Sequence, residues 1–432
     1  MHSVTIQGLL SLFLITMEWN SRRSDRLSTT EDILRHLEGL QEARELSQEI
    51  LAITQKCISL IITYREPDNS GHFTAFLEGL LVFVIKPLFI GTAPSSAYRA
   101  RFSDSPRKLW KHSAPWSVDV LRWILDQYGT LEVSLQKSAI EYQFPFLVPP
   151  ILTLLDDGET AAKIAGCDLL RVLCSDLVNC ESRILKRTAL TKVFEDSLAH
   201  NMLLLPSLTP EEESLQILSS LYPAYRALVA ASFLANPSLA ASNAGKLTAA
   251  PKDRYLITRE LLDQHTLRQA MLDRMLRSGI LAGYMHASDH VQIATLLVSE
   301  MSRAVTLMGA SSAKYLSTLL PLLRSILANP LGTAHLPLLE SAVLALRELI
   351  FQCWPRIAEI WWEECLRCVV GLWLLLYDEE QSTIQELKDS AKGLMDMLLQ
   401  VKLKSETGKE LYLLREGYEQ LEGLVPVGKW QR

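Results

Sequence analysis

The sequence predicts an all-α protein, a HEAT/ARM-like α-solenoid of stacked antiparallel helix pairs with a less regular helical region toward its N-terminal end. Three observations carry this. Apolar residues recur at helical spacing along nearly every long segment, and no stretch shows sustained period-two alternation bounded by hairpin turns. At 432 residues the chain exceeds the size at which one compact core stops growing, so several domains or a repeat array is expected. Finally, an order of proline, leucine run, Asp turn, basic residue and alanine-rich helix returns loosely in the C-terminal two thirds, as repeated helix pairs do.

Taken in order, residues 1–28 form an uncertain N-terminal segment. Its apolar run GLLSLFLITM has the length of a signal h-region, but no Lys or Arg precedes it and no small-x-small cleavage site follows. A docked first helix or an uncertain start is favoured over secretion. Residues 29–135 read as an irregular helical region, interrupted by a turn at REPDNSG (Arg65 to Gly71) and by the long Ser-, Pro- and basic-rich loop 91–116.

Residues 136–432 read as the HEAT-like solenoid, with a low-complexity, flexible loop at 235–251 and a short connection at Asn329 to Pro337. In FPFLVPPILTLLDDGETAAKIAGCDLL a helix ending at Leu154-Leu155 meets a turn at Asp156-Asp157-Gly158, then a second helix carrying Lys163, Ala165, Leu169 and Leu170. Thr209-Pro210-Glu211-Glu212 has the features of a helix start: a hydroxyl, proline at the first helical position and glutamate three residues after the cap. Ala294, Leu297, Met301, Ala304 and Met308, widened by Val298 and Val305, form one apolar stripe. Two further pairs follow, KYLSTLLPLLRSILANPLGTAHLPLLESAVLALRELI and Pro355 to Leu399, offset by roughly 40 residues. Trp354-Pro355 ends one helix and opens the next, because proline lacks the N–H that a helix interior needs. The last helix buries Ile384, Leu387, Ala391, Leu394 and Leu398, and its other face, around Glu386 to Lys392, is charged.

Composition narrows the function. Lys+Arg 43 against Asp+Glu 49 gives a net charge of -6, a poor starting point for wrapping a polyphosphate, so nucleic acid is not expected as a partner. Seven scattered cysteines (Cys57, Cys167, Cys174, Cys180, Cys353, Cys365, Cys368) lie mostly among apolar residues and read as buried thiols of a reducing compartment. The run CVVGLWLLLY is far shorter than the ~20 residues a membrane span needs. A soluble intracellular protein without membrane partners is expected.

Candidate chemistry is sparse. His286 and His290 stand at i, i+4, a spacing that can converge on zinc, yet Ala287 replaces the glutamate of a zincin, no third ligand is evident, and Ser288 or Asp289 suits a helix cap. Cys365 and Cys368 have CxxC spacing without a preceding strand or a second CxxC, so core thiols are favoured over a redox or zinc motif. There is no GxGxxG, Walker A or GxSxG sequence, and no cofactor, metal or catalytic residue is assigned. Arg99, Arg101, Arg107, Lys108 and Lys111 gather near Ser103 and Ser105-Pro106. A solvated loop is the commoner meaning of such a run; docking to an acidic or phosphorylated partner, or phosphorylation of Ser105, is the functional one.

The segment from Pro355 to Tyr377 is apolar on two sides, with Ile357, Trp361, Cys365, Val369, Leu372 and Leu376 along one, and Trp362, Leu366, Val370, Trp373 and Tyr377 along the other. Such a helix is either central in a stack or covered by another chain. Because aromatic anchors dominate interface energetics, Trp361, Trp362, Trp373 and Tyr377 are the candidate protein interface.

The blocks KRTALTKVFEDSL, LPSLTPEEESLQILSSLYPAYRAL, GILAGYMHASDHVQIATLLV, KYLSTLLPLLRSIL and NPLGTAHLPLLESAVLALRELIFQCWPRI resemble, in order, the signature of the Tel-two-interacting protein two family, over residues 140–400 or so. A weaker echo lies in LWKHSAPWSVDVLRWIL, whereas residues 1–28 show no resemblance. The resemblance implies the smallest subunit of the Triple-T (TTT) co-chaperone complex, a non-enzymatic HEAT-like scaffold. It would bind the C-terminal part of the large HEAT-repeat subunit, beside the Tel-two subunit. With Hsp90 and R2TP that complex matures and stabilises phosphatidylinositol-3-kinase-related kinases (PIKKs), in cytoplasm and nucleus. Two other readings stay open: a different HEAT-repeat adaptor, such as a transport receptor or phosphatase scaffold, and a metallohydrolase using His286 and His290.

Overall fold

The computed structural model describes residues 70–89, 108–112, 114–234, 251–379, 382–401, 415 and 417–425. Expectations for the N-terminal run, for Cys57, for Ser105 with its basic neighbours Arg99, Arg101 and Arg107, and for nearly all of loop 235–251 lie outside these residues. No strand occurs among the described residues, so the all-α expectation stands. They fall into two compact units, one within Met1–Phe194 plus Ala230–Leu234, the other comprising Glu195–Val229 and the chain from Ala235.

In the first unit α1 (Ser70–Gly79) runs through a π-helical turn, Leu80–Ile85, into α2 (Lys86–Phe89). A helical turn α3 (Leu109–His112) precedes α4 (Ser117–Tyr128), α5 (Val133–Leu155) and α6 (Thr160–Asn179). Helix α3 lies inside the segment expected to be a loop. The reason is one side chain: Trp110 is buried and stacks on Phe89 at 5.4 Å, and burying an indole outweighs the local preference of a polar segment for loop.

Helices α5 and α6 pack as an antiparallel pair about the Asp156-Asp157-Gly158 turn, with Ile140, Phe144, Leu147, Ile151, Leu169, Leu170 and Leu173 in the core. Their close approach depends on Gly166, where a Cβ would stand 2.8 Å from the Leu155 backbone nitrogen. Short α7 (Ile184–Thr188), then α8 (Leu190–Asn201) and α9 (Glu211–Ser232), follow. Helix α9 begins at Glu211, one residue later than the TPEE motif predicts, because its first bond runs from the Ser214 N–H to the Pro210 carbonyl and leaves Pro210 in the cap position.

The second unit continues with α10 (Pro251–Arg274), a π-helical turn at Met275–Leu281, α11 (Ala282–Ala287) and α12 (Val291–Met308). A 3-10 segment, Gly309–Tyr315, leads to α13 (Leu316–Leu327). Val291–Leu327 is long and apolar enough in composition to resemble a membrane span, but half of its most apolar window is buried in the protein. It is also broken at Gly309, whose φ of 58° and ψ of -139° belong to backbone that only glycine adopts readily. The expected α12 stripe is buried throughout: Ala294, Leu297, Val298, Met301, Ala304, Val305 and Met308.

Helix α14 (Leu336–Arg356), a π-helical turn Ile357–Trp361, α15 (Trp362–Leu376) and α16 (Ser382–Val401) complete the stack, followed by a 3-10 turn at Glu419–Leu421. The backbone leaves helical geometry at Cys353, two residues before Pro355, consistent with the steric demand that proline places on the turn ahead of it. Helices α12, α14 and α16 pack side by side, and α13 packs on α15; α13 also meets α14, and α15 meets α16. Two helix pairs therefore repeat, starting at Leu316 and Trp362, 46 residues apart, with alternate helices assigned to alternate layers.

Candidate partner-binding surface

The four aromatic residues expected at an interface separate into two kinds. Trp362 is buried, and its indole N–H donates to the Leu398 carbonyl of α16 at 3.0 Å. Trp373 is buried beneath the C-terminal 3-10 turn, donating to the Gln420 carbonyl at 2.7 Å, with Lys392 Nζ 5.8 Å from its ring centre. Gly423 lies so close that a Cβ there would be 2.8 Å from the Trp373 ring. Both tryptophans spend their polar atom inside the unit, as buried indoles do. Trp361 is half-buried, and Tyr377, 41% exposed, reaches the surface at the end of α15. Ile357 in the π-helical turn and Cys365, Val369, Leu372 and Leu376 along α15 are buried as well.

A second surface went unnoticed in the sequence. Helix α14 buries Leu339, Ala342, Leu346, Leu349 and Cys353, while Glu340, Leu344, Arg347, Phe351 and Trp354 face solvent, again at 4-3-4-3 spacing. Phe351 is 65% exposed and Trp354 56%. The signal was present in the sequence, because FQCW places two large aromatics three residues apart on the face away from the leucine stripe.

Elsewhere, polar groups serve the fold. His290 Nδ1 lies 2.9 Å from Glu211 Oε2 and pairs with that carboxylate rather than with His286. Among the described residues, no three His, Cys, Asp or Glu side chains stand close enough to hold a metal ion. All six described cysteines are free and buried. Burial pushes the Cys365 thiol well up and that of Cys368 up to about 12, so neither has the thiolate character of a reactive cysteine.

Two lysines of the basic loop have their acid within the chain. Lys108 and Lys111 both bind Asp157, Lys111 at 2.9 Å, and Lys111 also reaches Glu159 at 2.8 Å.

A family model described as the Tti2 family matches residues 11–334, well over half of the chain. The chain belongs to the Tti2 family. No curated protein and no solved structure matches beyond that. The Tti2 match begins earlier than the resembling blocks did, taking in part of the N-terminal segment, and it ends just before α14. The surface described above on α14 and α15 thus lies C-terminal to the stretch that defines Tti2 membership.

Proposed function

We propose that the chain is a non-catalytic scaffold subunit of the TTT co-chaperone complex. It binds the large HEAT-repeat subunit and the Tel-two subunit, and through them serves Hsp90 and R2TP in maturing and stabilising PIKK kinases. The observation that carries this reading is Tti2 membership over residues 11–334. The stacked helix pairs of the second unit support it, since such stacks offer long surfaces to other proteins. The scaffold portion is residues 136–432, and the protein works in cytoplasm and nucleus. Of the aromatic set, Trp361 and Tyr377 are the members proposed to touch a partner, Trp362 and Trp373 being held by Leu398 and Gln420.

Affinity purification of the tagged full chain from cells tests this. The large solenoid subunit and the Tel-two subunit should co-purify in near-equal amounts, and depletion of the chain should lower PIKK protein without lowering the corresponding transcripts. Recovery of the chain without either subunit overturns the reading.

A further inference from the structure

Thr209 has the residue type of a helix cap but does not serve as one. Pro210 takes the cap position, its carbonyl accepting the Ser214 N–H at 2.9 Å, and Thr209 is left one residue further outside α9. The backbone of Thr209 is held on both sides: its N–H donates to the Leu205 carbonyl at 2.9 Å, and its carbonyl accepts the Ser214 hydroxyl at 3.3 Å. Its own hydroxyl makes no hydrogen bond among the described residues. That hydroxyl therefore does no work for the fold.

It is also within reach of another protein. Thr209 is half-buried in the connection between α8 and α9, and its neighbours Ser207, Leu208, Pro210, Glu211, Glu212 and Glu213 are exposed, Leu208 by 75%. The turn ahead of it is closed by the Leu208 and Thr209 N–H groups, both donating to the Leu205 carbonyl. A surface turn closed in this way can open into an extended strand while α8 and α9 stay intact.

Thr209-Pro210 is the one Ser-Pro or Thr-Pro pair among the described residues. Proline lacks an N–H, so it suits a cleft with no acceptor after the reacting residue, where any other residue would bury an unpaired donor. Glu211, Glu212 and Glu213 follow, which disfavours an enzyme that needs a basic residue at those positions.

We propose that the Thr209 hydroxyl is the phosphate acceptor of a proline-directed serine/threonine protein kinase. Its Oγ1 bonds to the γ-phosphorus of ATP as the oxygen bridging to the β-phosphate leaves with ADP, and the hydroxyl proton passes to the catalytic aspartate of the kinase. The product adds a charge of about -2 next to three carboxylates, on the edge of the second unit. This goes beyond the scaffold reading and does not depend on it.

The test purifies the tagged full chain from dividing cells treated with okadaic acid and follows the tryptic peptide from Val193 to Arg226 by mass spectrometry. A phosphate on Thr209 is expected, absent after Thr209→Ala. Pro210→Ala should lower it about tenfold, the rate equivalent of one unpaired buried N–H, whereas joint replacement of Glu211, Glu212 and Glu213 by Gln should leave it within about twofold of wild type. Melting temperatures of all three variants should stay at the wild-type value, because the Thr209 hydroxyl is unbonded and the other positions are exposed. A peptide recovered without phosphate, phosphate on Ser207 or Ser214 in place of Thr209, or labelling that survives Pro210→Ala overturns the proposal.

Discussion

Lys111 places its ammonium 2.9 Å from Oδ1 of Asp157, a carboxylate whose side chain is wholly removed from solvent at the turn between α5 and α6. The same Oδ1 accepts the Glu159 N–H at 2.9 Å, and Lys108 binds the other oxygen. One carboxylate thus closes the turn by an Asx-type bond and fastens α3 to the helix pair. Burial alone would push its pKa up, but the hydrogen bonds from Lys108, the Glu159 N–H and Lys111 outweigh burial and hold it at about 2.

The pH dependence of this contact has a definite sign. With a folded value of about 2 below the ordinary 3.8, the stabilisation is fully present above the unfolded value and is lost as pH falls toward 2. Asp157→Ala should cost about 1–3 kcal/mol at pH 7 and far less at pH 2.5. Urea unfolding of both proteins at the two pH values measures it. Equal costs at both would show that the contact is not ionic.

Asp176 should behave in the opposite sense. It is buried in α6, with Oδ1 bonded by Gln136 Nε2 at 3.1 Å and Oδ2 unpartnered. Burial, with the nearby Asp126 carboxylate, pushes it up to about 7 from 3.8. The folded state therefore holds a proton that the unfolded chain releases, and stability from this group falls as pH rises from about 4 to 7. Asp176→Asn keeps an oxygen for Gln136 and cannot ionise. It should raise stability at pH 8 by about 1–2 kcal/mol and have little effect at pH 4, read from thermal melts across that range.

The buried tryptophans should report on the fold and Tyr377 on binding. Trp362→Phe leaves the Leu398 carbonyl without the indole donor and should cost about 1–3 kcal/mol, while Trp362→Ala, which also opens a cavity, should cost about 3–5 kcal/mol. Tyr377→Ala should change stability by less than about 0.5 kcal/mol yet reduce partner recovery. Denaturant midpoints beside co-purification yields separate the two effects.

Gly166→Ala tests the packing of α5 on α6. The added methyl would stand 2.8 Å from the Leu155 nitrogen and 3.1 Å from the Leu154 carbonyl carbon, backbone atoms that cannot rotate away. A loss of about 1–3 kcal/mol is expected in spite of alanine's better helix propensity. An unchanged or higher melting point would mean that the helices separate without cost.

The limits of sequence reading are visible at particular residues. The DDG turn announced the α5 and α6 pair and marked Asp157 as a turn residue, but nothing local linked it to Lys108 and Lys111, 49 and 46 positions earlier. Trp373 looked like an interface anchor because the segment that covers it, Tyr418 to Val425, lies more than forty residues downstream. Conversely, Phe351 and Trp354 sit in a helix whose leucine stripe identifies its core side, so their exposure followed from counting around the helix.

By itself the sequence determined the helical class and three of the helix pairs after about residue 140, because periodicity, proline placement and turn residues act over a few positions, and its ordered blocks pointed to the family. Tertiary structure alone decided that Trp362 and Trp373 are covered while Tyr377 is not, and where the lysines find their carboxylate. Those outcomes depend on contacts between residues tens of positions apart, and burial is set by what packs against a side chain rather than by the residue itself.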